Sequence, residues 1–280
     1  MTTPAPMSAQ PSIREEAVRT ALAFLMAESK RGHSTTRRQS DMKLVMRLRD
    51  SLIYRAESVL WHPQLVELVT KSADRRLREV YPDRAKEHLL LLQIGAEVFY
   101  VFDDLVFNAL SLFDYVGNLV GFAFYGEQRR KAKWHRIQHF ARNAAYEKRE
   151  HSNPRISGSA LGSSILEVHK SLVESLTEYR AALIHYEALV GLGEVKTEYG
   201  AGETPKYDLS FTVPKEFAEV FTVTGYEQDP AQAPVVEGAK WLAQECTRQA
   251  LEVLIELRRA LRVEAGYTPD GTDGAVEMIC

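Results

Sequence analysis

Residues 160–190 read ALGSSILEVHKSLVESLTEYRAALIHYEALV, and this stretch decides the fold class. Its apolar residues Leu161, Ile165, Val168, Leu172, Leu176, Tyr179, Leu183, Tyr186 and Val190 recur at steps of three or four. At ~100° per residue that spacing keeps them on one side of an α-helix, whereas a half-buried strand would alternate every second residue. A long helix with one apolar seam needs other helices to cover it, so the stretch predicts a helical bundle.

The segments on either side agree. The most apolar part of the chain runs from about Arg84 to Tyr125 and predicts one long buried helix, or two joined near Gly117 or Gly121. A membrane span needs roughly 20 nearly uninterrupted apolar residues. Glu97, Asp103, Asp104, Asn108, Asp114 and Asn118 interrupt this one, so no membrane association is expected. Further toward the amino end, helical spacing runs over Ile13–Glu28, Met42–Leu60 and Pro63–Val80, with Lys30–Gln39 as an interruption. Pro63 suits a first helical turn and Pro82 follows a stop.

After Val190 the character changes. Gly, Thr and Pro appear between 191 and 234, Tyr207, Leu209, Phe211 and Val213 alternate, and Val220–Thr224 is largely β-branched, which predicts a small hairpin flanking Pro214. Helical spacing resumes through Trp241, Leu242, Leu251, Leu254 and Leu257. The expected fold class is therefore mainly α. A helical bundle spans residues 13–265, with a β-hairpin-containing insertion (191–234) before the last helix (235–262), and with loose tails at 1–12 and 266–280.

Composition narrows the function classes. The chain has 280 residues, 45% hydrophobic and 26% charged, with a formal net charge of -3. Such a balance exerts no global pull on nucleic acid or anionic lipid, so any such affinity must come from a local patch. Two cysteines, Cys246 and Cys280, are too few for a disulfide scaffold or a thiolate zinc site. The amino end carries no basic start followed by an apolar run, so a cytoplasmic location is expected. No phosphate-binding loop or dinucleotide fingerprint is present, and Ala160 stands where a Gly-x-Ser-x-Gly nucleophile would. A di-iron bundle requires Glu-x-x-His pairs; Glu167 with His169 and Glu147 with His151 are the nearest substitutes, so neither metal nor cofactor is expected.

Three groups of residues can carry chemistry. Arg129, Arg130, Lys131, Lys133, Arg136 and Arg142, interleaved with Trp134, His135, His139 and Phe140, have the composition of a phosphate-tracking surface with stacking aromatics. The alternative is a solvated helix face whose Trp134 and Phe140 belong to the core. Asp103 and Asp104 lack the third acid of a magnesium-binding helix, and Glu97, Asp104, Asn108 and Ser111 share one helical face that lines either a polar cleft or a helix contact. The third group is Arg180-Ala-Ala-Leu-Ile-His185, near the middle of the deciding stretch.

Arg180 and His185, on a helix that follows a long apolar helix with Phe113-Asp114-Tyr115 and Asn118, resemble the HEPN superfamily over about residues 84–190. Members are all-helical bundles, many with Arg, four to six residues, then His. They are known largely as metal-independent endoribonucleases of bacterial defence and toxin systems. The resemblance implies that Arg180 holds the scissile phosphate, that His185 is the general acid/base, and that two subunits pair to form the cleft. Ala181 stands where active members commonly carry a polar residue.

Geometry adds a separate point. Positions 180 and 185 lie ~140° apart around a straight helix and do not naturally converge on one phosphate; a second copy, as in a homodimer, is one way to supply convergence. Structural roles for the two are an ion pair of Arg180 with Glu187 and a hydrogen-bonded His185 at a helix contact. Two readings of function follow: a metal-independent endoribonuclease, or a non-catalytic helical scaffold that holds RNA, DNA or a protein partner.

Overall fold

A computed structural model describes residues 11–126, 133–142, 156–185, 193–199, 205–217, 220 and 233–270. Four long helices make the core: α1 (Ile13–Lys30), α2 (Thr35–Val80), α3 (Arg84–Tyr125) and α7 (Val235–Glu264). Three shorter ones, α4 (Trp134–Arg142), α5 (Ala160–Val168) and α6 (Glu174–His185), lie over α3 and α7. The chain is mainly α, with a two-stranded hairpin before the last helix. None of the described helices is long and apolar enough to cross a membrane.

Three of the four long helices, α1 to α3, begin with a side-chain cap. Ser12 accepts from the Glu15 amide while Glu15 accepts from the Ser12 amide, a reciprocal cap that satisfies two amides without helical partners. Ser34 and Asp83 cap α2 and α3 in the simpler one-way form.

One expected break does not occur. Met42–Leu60 and Pro63–Val80 belong to one 46-residue helix, with Pro63 in its interior. Proline removes one backbone donor and crowds the preceding turn; here Pro63 is buried, and the His62 ring nitrogen Nδ1 bonds the Ser58 carbonyl at 2.6 Å within that turn. Packing along α3 holds the helix through the proline. Of the two alternatives for the apolar segment, the single helix is found: α3 runs unbroken for 42 residues, with Gly117 and Gly121 both buried inside it.

The α2–α3 contact explains the polar stripe on α3. Arg76 donates to both oxygens of Glu97 at 2.6 and 2.9 Å. Asn108 accepts from Arg55 and Ser58 and donates to His62 Nε2 at 3.3 Å. Glu97 and Asn108 therefore join two helices, and do not line a cleft.

The deciding stretch forms α5, a five-residue π-helical segment (His169–Val173) and α6. Leu161, Ile165, Val168, Leu172, Leu176 and Tyr179 are all buried, as the spacing predicts. The π segment widens the helix by one residue, which lets adjacent Leu172 and Val173 both enter the core. Tyr186 and Val190 lie outside the described residues.

The hairpin is displaced from its expected place. Strand β1 (Gly193–Glu198) pairs antiparallel with β2 (Lys206–Phe211), from Gly193 opposite Phe211 to Glu198 opposite Lys206. Tyr207, Leu209 and Phe211 are the buried alternation of β2, as expected, but the partner strand precedes it and Pro214 leads into a 3-10 turn (Lys215–Phe217). Strand β1 reads Gly-Glu-Val-Lys-Thr-Glu and is mostly exposed, so it carries no apolar alternation to detect. The stretch 221–224 lies outside the described residues. Asp74 on α2 accepts the Tyr207 amide at 2.8 Å, and the Phe211 ring meets Phe99 at 6.0 Å, which fastens the hairpin to the bundle.

Candidate functional site

Helix α6 is held on α3 by two consecutive residues. Tyr179 is buried and donates to Asp103 Oδ1 at 3.4 Å, while the exposed Arg180 guanidinium lies 5.2 Å from the centre of the Phe107 ring. Arg180 is thus accessible on a cation–π perch. The side chain of His185 lies outside the described residues.

Asp103 is half-buried, and loss of water pushes its carboxyl up to about 7, opposed by the Tyr179 hydroxyl and aided by the charge of Asp104. An acid raised in the folded state keeps its proton between pH ~4 and 7 while the unfolded chain has already released it. Stability therefore falls as pH rises through that window and is level above it. We expect Asp103→Asn to abolish this slope and to be about 1–2 kcal/mol more stable than wild type at pH 8, after solvent screening is allowed for. Denaturant titrations of both proteins at pH 4.5, 6 and 8 check it; parallel curves would refute it.

Helix α4 separates its residue types cleanly. Trp134, Ile137, Gln138, Phe140 and Ala141 are buried, and Lys133, His135, Arg136, His139 and Arg142 are exposed. The Asp114 carboxylate on α3 accepts the Trp134 amide at 3.0 Å, and the rings of Trp134 and Phe140 meet Phe113 and Tyr125 at 5.3 and 4.9 Å. The aromatics thus belong to the core and offer no stacking platform, a correction to the interleaved surface the composition suggests. None of the five exposed basic side chains forms an ion pair among the described residues, and α4 contains no carboxylate. His169, in the π segment beside α4, feels the charges of Arg142 and His139; burial and those charges hold its imidazole below the usual range. Arg129, Arg130 and Lys131 lie outside the described residues.

No family model, no curated protein and no solved structure matches this chain. Function rests on the chemistry of its own residues.

A third place carries no motif in the sequence. Two clefts that share Phe124 and Glu264 open at the end of the bundle where α1, α3 and α7 finish and α2 begins. The larger, about 700 Å³, is mainly apolar, with Leu161, Ala260, Val263 and Pro269 in its wall. The smaller, about 420 Å³, contains Glu28, Arg31, His33, Arg37 and Asp41. Gly32 adopts φ +69°, a left-handed turn after α1 that returns His33 over the helix it has just left, with Nδ1 2.7 Å from Glu28 Oε2. Loss of water and the neighbouring Glu28 charge raise the Asp41 carboxyl above its ordinary value. The signal for this site is Gly32 alone, because the residues belong to two helices and a turn and follow no fixed motif.

Proposed function

We propose that the protein is a helical nucleic-acid-binding protein that grips the phosphate backbone of RNA on the exposed side of α4. The single observation that carries this reading is the set of five basic or imidazole side chains, Lys133 just before α4 and four on its exposed face, unpaired among the described residues, while Arg76, Arg248, Arg258 and Arg259 elsewhere are engaged by carboxylates. With Trp134 and Phe140 in the core, contact is to phosphates and not to bases, so binding is sequence-tolerant and steeply dependent on salt.

Three phosphate contacts to single-stranded RNA give a log–log salt slope of about -2, so affinity falls roughly 15–20-fold between 50 and 200 mM salt. Lys133→Ala/Arg136→Ala/Arg142→Ala, all at exposed positions, is expected to weaken binding at least tenfold in a fluorescence-anisotropy titration with a labelled 20-nucleotide RNA. Equal affinity in that variant, or salt-insensitive binding, overturns the reading and leaves a protein partner.

The accessible guanidinium of Arg180 favours a second reading, metal-independent RNA cleavage with His185 as acid/base in a homodimer, as the HEPN resemblance implies. RNA incubated with the protein in EDTA is then cut, and His185→Ala stops the cutting. Intact RNA, or equal cutting by the variant, removes catalysis and leaves binding untouched.

A further inference from the structure

We propose that Glu28, His33 and Asp41 form a three-ligand site for a divalent cation of the zinc class. One ligand atom from each residue lies within 4.8 Å of the other two. A tetrahedral Zn²⁺ with ligands at ~2.0–2.2 Å places them roughly 3.3 Å apart, so closure requires side-chain shifts of about 1–2 Å.

Three features make a cation the group that is wanted. Glu28 and Asp41 are 5% and 13% exposed at their side chains, so two carboxylates face each other with little water between them. The nearest fixed cation is already committed: Arg31 donates to both oxygens of Glu264, to Glu28 Oε1 and to the Ala123 carbonyl. Arg37 approaches Asp41 only at 3.6 Å and is 57% exposed. Glu28 Oε2 and His33 Nδ1, now 2.7 Å apart across a shared proton, and an Asp41 oxygen are the ligand atoms, and a metal takes the place of that proton. The carboxyl end of α1 adds its own negative pole at this point, which favours positive charge.

The donor set selects the ion. One imidazole nitrogen with two carboxylate oxygens suits zinc and its first-row neighbours, whereas Mg²⁺ keeps an oxygen and water shell and avoids imidazole. Three protein ligands leave a fourth position open, the pattern of catalytic and not of structural zinc. Arg37 lines the same cleft, so the ligand that completes the shell is an anion.

The test is a Zn²⁺ titration of chelator-stripped full-length protein against a chromophoric competitor, with Mg²⁺ as the control ion. His135 and His139, one turn apart on α4, offer a competing two-ligand surface site, so His135→Ala/His139→Ala is titrated in parallel. The expected result is one equivalent bound by wild type and by the α4 double variant, with affinity at least tenfold weaker in His33→Ala and in Asp41→Asn. Unchanged metal-free melting temperatures for those two variants separate ligand loss from misfolding, and the Co²⁺-substituted protein reports its ligand field by visible absorption. Failure to bind, binding that vanishes with the α4 histidines instead of His33, or equal competition by Mg²⁺ overturns the proposal. None of these outcomes depends on RNA.

Discussion

Arg258→Ala is expected to destabilise the protein by about 3–5 kcal/mol, because it leaves a buried carboxylate alone. Glu16 on α1 is fully buried, its Oε1 accepts from Arg258 Nε on α7, and its Oε2 has no hydrogen-bond partner among the described residues. Burial already pushes the Glu16 carboxyl above its ordinary range, and the guanidinium opposes that push. Without Arg258 the group must either stay charged in an apolar interface or take up a proton at neutral pH, and each route costs folding energy. The penalty therefore shrinks at low pH, where the unfolded chain is protonated as well. Denaturant unfolding at pH 7 and pH 4.5 reads both effects. Glu16→Leu/Arg258→Met, which removes both charges, is expected to recover most of the loss, since an apolar pair is seldom worse than a buried ion pair. A loss under 1 kcal/mol in Arg258→Ala, or no recovery in the double variant, would contradict this account of how α1 and α7 are joined.

Phe102→Ala is expected to cost about 3–5 kcal/mol, through lost burial and the cavity left behind. Phe102 on α3 is fully buried, and its ring meets Phe217 edge-on at 4.9 Å; Phe217 in turn meets Tyr179 of α6 at 5.1 Å. Three elements far apart in the chain thus close on one aromatic cluster: the central helix, the 3-10 turn of the insertion and the helix that carries Arg180. The variant should consequently loosen the insertion before the bundle unfolds. Limited proteolysis is expected to cut between 205 and 217 at denaturant concentrations where wild type resists, while Phe102→Leu loses only about 1–1.5 kcal/mol. Simultaneous loss of bundle and insertion would refute the local part of this prediction.

How legible the candidate sites were follows from the range of the forces that build them. The basic residues of α4 are adjacent in sequence, so Lys133, Arg136 and Arg142 could be found by reading. The fate of Trp134 and Phe140 could not, because an aromatic between charges looks the same whether it meets a base or the Phe113 and Tyr125 rings of another helix. Glu28, His33 and Asp41 were invisible, since neither their spacing nor their residue types form a motif and a glycine turn alone brings them together.

Determined by the sequence itself were the helical class, the buried seam of residues 161–179, the alternation of β2 and the last helix. Each depends on periodicity or on contacts within a few residues, which the order of side chains encodes directly. Decided only by the tertiary structure were the passage of α2 through Pro63, the choice of strand 193–198 as partner to β2, and the polar seam from Arg55 and Arg76 to Asn108 and Glu97. Those outcomes rest on which distant surfaces meet, and burial energy gathered across such contacts outweighs local preferences of about 1–3 kcal/mol.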